Sequence, residues 1–176
     1  MKRIFTFLLA ILVVATAFPV RADELDANAK EAIAAFKEKD SGLQKFFDNS
    51  VGYAIFPNAG KGGLILGAGH GKGLVYEKGK LIGHASFTQG SIGAQIGGQS
   101  FSELVFFETQ KGLNDLKKGK FEFSAQISAI AVADGVSKNS KYEHGVAVFV
   151  LPKGGLMAEA TVGGQKFKYE PLPKAE

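Results

Sequence analysis

Cysteine is absent from the 176-residue chain. That absence excludes a disulfide framework, a lipid-modified cysteine and a mixed cysteine–histidine zinc site. Histidine is scarce: His70, His84 and His144 are the three, and no two lie at i, i+4. His70 and His84 are read as ordinary strand residues, and no metal site or cofactor is expected. No Pro/Ser-rich linker divides the chain and no long block of one charge appears. Past the first residues there is no apolar run of the roughly 20 residues a spanning helix needs.

What is present begins with a leader. Lys2 and Arg3 precede an apolar stretch, Ile4 to Phe18, and Val20-Arg21-Ala22 places small residues at −3 and −1 before Asp23. The expectation is a secretory signal peptide over residues 1–22, cleaved to release a single domain, 23–176, into the periplasm. Without Lys2, Arg3 and Arg21 the balance is 18 basic against 17 acidic residues, and the formal net charge falls from +4 to +1. A near-neutral domain lacks the basic face of a nucleic-acid binder, so no nucleic-acid partner is expected.

Glu24 to Lys39 has the spacing of an amphipathic helix, with Leu25, Ala29, Ala32, Ile33 and Phe36 on one face. Ser41-Gly42-Leu43-Gln44 has the form of a capping box with Ser41 at the N-cap, opening a second short helix. From Val51 the pattern becomes that of strands. VGYAIFP is an apolar run stopped by the turn signal Pro57-Asn58. Phe121 to Val132 alternates as a half-buried strand. Gly145 to Leu151 and Leu156 to Val162 read as two strands joined by a turn at Pro152 to Gly155, with Phe167 to Glu170 a last edge strand. Thr109 to Lys118 reads as one interrupting helix, and Pro171 to Glu176 as an extended end. The fold class expected is α+β: leading amphipathic helices, then a glycine-rich, mainly antiparallel sheet, open or curled into a barrel.

The glycine-rich stretch GKGGLILGAGHGKG, Gly60 to Gly73, fails as a phosphate loop. Leu66 stands where a P-loop needs its first glycine, Gly73 follows Lys72, and no helix pattern comes next. Gly67, Gly69, Gly71 and Gly73 instead recur with period two, which is a strand with one bare face. Such a face lets the strand bend or lets another backbone or ring pack against it. Glu77-Lys78-Gly79-Lys80 marks a tight hairpin turn.

No catalytic constellation emerges. Gln89 replaces the first glycine of a G-x-S-x-G elbow around Ser91. Glu103 and Glu108 are candidates for a buried pair, and the protein is expected not to be an enzyme.

The blocks GYAIFPNAGKGGLILGAGHGKGLVY, SFTQGSIGAQIGGQSFSELVFF and GVAVFVLPKGGLMAEATVGG resemble the SYLF-domain family, a lipid-binding and actin-regulating group. The likeness runs from about Ala29 through nearly the whole remaining chain. It implies binding of membrane lipid. Phosphoinositides and actin belong to other compartments, so the expected ligand is an anionic phospholipid or another envelope lipid, met peripherally. Lys61, Lys72, Lys78 and Lys80, opposed locally by Glu77, are the candidates for head-group contact, and Phe46 and Phe47 for apolar contact. The alternative is an envelope module that contacts a protein partner without lipid.

Overall fold

The computed structural model describes residues 22–123 and 129–173. The leader expected over 1–22 lies outside them but for Ala22, as do 124–128 of the expected Phe121–Val132 strand and the last three residues.

Helix α1, Ala22–Lys39, carries Asp23 and Glu24 in its first turn and Lys37 and Lys39 in its last, the arrangement that suits the helix dipole. A single 3-10 turn, Ser41–Leu43, leads into α2, Gln44–Asn49. The cap is Asp40 rather than Ser41: its Oδ1 accepts from the Gly42 amide at 3.0 Å. Its Oδ2 accepts from the Ser137 amide at 2.7 Å, tying the helical segment to a residue 97 positions away. Ser137 lies in the short α4, Val136–Asn139.

Three strands of unusual length follow: β1, Gly52–Glu77; β2, Lys80–Phe107; and β5, Val146–Pro171. Between β2 and β5 come α3, Gln110–Lys117, capped by the Thr109 side chain, and the short β3, Glu122–Phe123, and β4, Ala129–Ala131. The sheet order is β1-β2-β5-β3, with β4 also pairing β5. All pairings are antiparallel except the parallel β4–β5 pair. Lys78 and Gly79 both have positive φ, 49° and 76°, and Glu77 pairs with Lys80, which is the two-residue hairpin the sequence predicts.

Two expected turns are not turns. Pro57 and Asn58 form a bulge inside β1: the register slips between Phe56 and Ala59, and the buried Ser102 hydroxyl donates to the Pro57 carbonyl at 2.7 Å. Pro152 to Gly155 stays within β5, which shifts register there by one residue, so the strands expected on either side are one. Phe167 to Glu170 likewise continues β5 instead of forming a strand of its own; it pairs with β2 on one side, and β3 meets β5 only at Gln165 and Lys166. Local turn chemistry is satisfied equally by a bulge, and pairing with a neighbouring strand decides between them.

The long strands curl. Residues 52–62 of β1 lie against its own residues 67–77. A Cβ on Gly73 would overlap the Ile55 carbonyl, and one on Gly69 would sit 2.9 Å from the Gly60 carbonyl. A Cβ on Gly71 would come within 2.6 Å of the Phe87 ring. The bare glycine face is thus what lets β1 fold over itself. The sheet gains two arms: 52–62, 96–107 and 146–155 in one, and 66–77, 80–92 and 162–171 in the other. Among the described residues no strand pairing joins β1 to β3 or β4, so the curl is not closed into a barrel.

Each side of the curl has a core. Inside, Phe56 from one arm meets Phe87 and Phe167 from the other, with ring centroids 4.9 and 5.8 Å apart. Outside, Ile55 and Leu74, from the two arms of β1, cluster with Leu104, Phe106 and Phe149 under Ala29, Ala32 and Phe36 of α1 and Leu43 and Phe46 beyond it.

Two outcomes are expected. Gly73→Ala should lower stability by about 1–3 kcal/mol, because backbone must move to admit the methyl group. Gly90→Ala, where an added Cβ meets nothing within 4 Å, should leave it unchanged or raise it by up to about 1 kcal/mol. Equal urea midpoints for the two variants would contradict the glycine account. Asp40 provides the second. Burial works to raise its carboxyl pKa, but the amides of Ser137 and Gly42 outweigh it and hold the value below the usual range. A depressed folded pKa gives stability that is present above the unfolded value and lost as pH falls through the folded one. Asp40→Ala should therefore destabilise by about 1–3 kcal/mol at neutral pH. Its penalty should shrink in denaturation series taken progressively below about pH 4.

Candidate functional site

Where the arms turn back on one another, Leu64 pairs with Ile96 and Leu66 with Ile92, so the single residue Ile65 spans three residues of β2. This mismatch bends the hairpin, and no second layer covers the bend among the described residues. The consequence is an exposed aliphatic tip: Leu64, Ile65, Leu66, Ile92 and Ile96 are 62–70% accessible. Among the described residues these five are the exposed large apolar side chains, and their clustering at one end needs an explanation.

Behind the tip the outer face of the second arm changes character row by row. Next to the Leu66–Ile92 pair comes the row Ala68, Gly90 and Gly164. Then comes His70, Thr88 and Lys166, and then Lys72, Ser86 and Lys168. At about 3.3 Å per residue these two cationic rows lie roughly 13 and 20 Å along the strand from Leu66. Carboxylates temper them: Lys166 meets Glu122 at 3.1 Å, and Lys168 meets Glu170 at 2.8 Å. The Lys168 hydrogen bond holds the exposed Glu170 carboxyl below its ordinary value.

The four lysines expected to act together are dispersed. Lys61 lies nearest the tip, in a shallow depression of about 590 Å³ with Gly69, His70, Gln99 and Ser100. Lys72 lines a separate groove of about 420 Å³ with Leu25, His84, Ser86 and Lys168. Lys78 and Lys80 sit at the β1–β2 turn, where Lys78 lines a third hollow with Phe47, Ser50 and Tyr53. That turn lies about 40 Å along the strand from Leu66. Clustering in sequence did not survive because a strand spreads neighbours along its length.

The two phenylalanines differ in burial. Phe46 is 3% accessible and its ring lies 4.9 to 5.5 Å from those of Phe149, Tyr142 and Phe106. Phe47 is half-buried against Tyr53 and Phe106, with the Lys37 ammonium 4.4 Å above its ring. Phe46 is therefore not available for apolar contact with a ligand. The suggested Glu103–Glu108 pair is also absent, since Glu103 is buried and Glu108 is exposed at the end of β2.

The tip residues went unnoticed in the sequence because Leu64 and Leu66 sit opposite a glycine face, which reads as core. The available signal was three consecutive large aliphatics, Leu64-Ile65-Leu66, bracketed by Gly62-Gly63 and Gly67. Among the described residues no group of three or more histidines and carboxylates is placed to hold a metal ion, and no helix is long and apolar enough to cross a membrane.

No family model matches the chain. Over 137 residues it is 26% identical to "Beta cell expansion factor A" of Aeromonas veronii, a match covering 77% of this chain and 51% of that protein. The chain thus spans about half the length of this curated relative.

Phe46→Ala should lower stability by about 3–5 kcal/mol, as expected for a buried ring removed from a packed cluster. A variant with the wild-type urea midpoint would show that Phe46 does not hold α2 to the sheet.

Proposed function

We propose that this protein is a non-catalytic module that binds anionic membrane lipid at the bacterial cell envelope, resting the aliphatic end of its curled sheet in the bilayer interface. The observation that carries this reading is the tip of Leu64, Ile65, Leu66, Ile92 and Ile96, exposed at 62–70%. A protruding aliphatic end has the shape and chemistry for the acyl boundary. Full burial of one such side chain is worth about 1.5–3 kcal/mol, so a few of them, even partly inserted, give useful affinity.

The graded outer face supports the same reading. Interfacial elements bury their apolar face about 5–10 Å into the headgroup–acyl boundary. With the tip at that depth, the row of His70 and Lys166 stands at head-group height and Lys72 and Lys168 just above it. A basic residue near an anionic surface contributes about 1 kcal/mol, less here because Glu122 and Glu170 accompany two of the lysines. Lys61 is the one of the expected head-group lysines that lies beside the tip. The amphipathic α1 keeps its apolar face on the sheet and need not insert. The resemblance to the SYLF-domain family and the leader over residues 1–22 fit a periplasmic protein of this kind, peripheral to a membrane.

Sedimentation with vesicles tests the proposal. The protein should bind phosphatidylglycerol vesicles more tightly than phosphatidylcholine, with part of the binding lost at high salt. The Leu66→Ser/Ile92→Ser variant should bind at least about tenfold more weakly, while Lys78→Glu/Lys80→Glu should bind as wild type. Undiminished binding by a folded tip variant would overturn the proposal. Absence of vesicle binding by the wild type would favour an envelope protein partner on the same tip.

A further inference from the structure

Inside the curl, the aromatic layer of Phe56, Phe87, Phe101 and Phe167 is followed by a polar layer. Glu103 stands between Phe101 and Val105 on the first arm, and its side chain is 1% accessible. Facing it from the second arm is Gln165 of β5, whose Nε2 donates to Glu103 Oε2 at 2.8 Å. The same Nε2 lies 3.4 Å from the Oε1 of Gln89, its register partner on β2. The remaining oxygen of each partner, Glu103 Oε1 and Gln165 Oε1, is buried without a hydrogen bond.

Two buried acceptors left without a donor are an expensive arrangement. One proton removes the expense. A neutral carboxylic acid has an O–H donor as well as an acceptor, and a primary amide has both, so the two groups can exchange a pair of hydrogen bonds. We propose that Glu103 is held as the neutral acid and that its proton, donated to Gln165 Oε1, completes a cyclic pair of hydrogen bonds that clasps the two arms of the sheet. The clasp is a proton-dependent latch built into the interior of the curl. It stands apart from the lipid reading and does not depend on it.

The electrostatic surroundings agree. Burial pushes the Glu103 carboxyl up to about 7, against the Gln165 hydrogen bond and the charge of Lys61, which both lower it. Among the described residues Lys61, on β1, is the charged group that acts on Glu103. The register partners of Glu103, Phe56 on β1 and Val150 on β5, are uncharged, as are Gln89 and Gln165. When the proton leaves, the carboxylate presents its oxygens to the amide oxygen of Gln165 and the latch loses its second bond. For an acid whose folded pKa is raised, the associated stability is fully present below the unfolded pKa. It is lost as pH rises through the folded value.

The test compares the wild-type protein with Glu103→Gln by urea denaturation from pH 5 to pH 8. Both proteins carry His70, His84 and His144 alike, so the difference between them belongs to Glu103. The wild-type folding constant should fall relative to the variant's by on the order of fiftyfold across that range. Hydrogen exchange gives a second reading: amides of 87–92 and 162–167 should lose protection above pH 7 in the wild type and keep it in Glu103→Gln. Infrared difference spectra of the wild type at pH 5 should show the carbonyl band of a buried protonated acid, absent from the variant. Parallel pH profiles in the two proteins, or no protonated-acid band at pH 5 in the folded wild type, would overturn the proposal. The infrared reading on the wild type holds even if Glu103→Gln fails to fold.

Discussion

β1 runs past itself where its second half brings glycine and no side chain to the contact. Gly69, Gly71 and Gly73 present bare backbone to Gly60, the Phe87 ring and Ile55, and the separation this allows is less than any Cβ would tolerate. The rest of the architecture follows from that approach. Because β1 doubles back, its partners β2 and β5 must bend with it, and one sheet becomes two facing arms. The facing arms enclose Phe56, Phe87 and Phe167 as an aromatic core that a flat sheet of the same composition would leave half wet. The seam where the halves of β1 meet is then covered from outside by α1, which clusters with Ile55 and Leu74 together.

The same constraint leaves two features that packing alone does not account for. At the bend Leu64, Ile65 and Leu66 stay 66–70% accessible, so apolar surface is presented to whatever lies outside. Stability is not what keeps large aliphatics there, since serine or threonine would suit a solvated bend better. Within the curl, the polar layer of Glu103, Gln89 and Gln165 follows the aromatic core, and its net contribution depends on full pairing. A buried carboxyl is a poor choice for adhesion between two sheets unless its protonation is part of how they hold.

Much of the fold was legible because its signals are local. The period-two glycines announced a strand with one bare face, the Lys78-Gly79 pair a hairpin, and Thr109 to Lys118 an interrupting helix. The errors have a common origin. Pro57-Asn58 and Pro152 to Gly155 carry turn chemistry, but Ser102 and the β2 ladder turn them into bulges, and those partners lie 45 or more residues away. Ser41 looked like the cap of the second helix, whereas it opens a 3-10 turn that Asp40 caps while also reaching Ser137. The candidate site was harder still. Lys61, Lys72, Lys78 and Lys80 are close in sequence, but a strand separates them, and Phe46 is claimed by the core. The tip was hidden because alternation marks a face without saying whether anything covers it.

The chain contains no tryptophan, so a single indole placed at the tip reports on that place alone. Leu66→Trp, titrated with phosphatidylglycerol vesicles containing brominated lipid, asks directly whether the bend enters a bilayer. The account predicts a blue-shifted emission on vesicle addition and quenching by bromines near the upper acyl chain, with an indole at Lys80→Trp unaffected by either. An emission at Leu66→Trp that neither shifts nor quenches while the protein sediments with the vesicles would contradict it, and would place the membrane contact on another face.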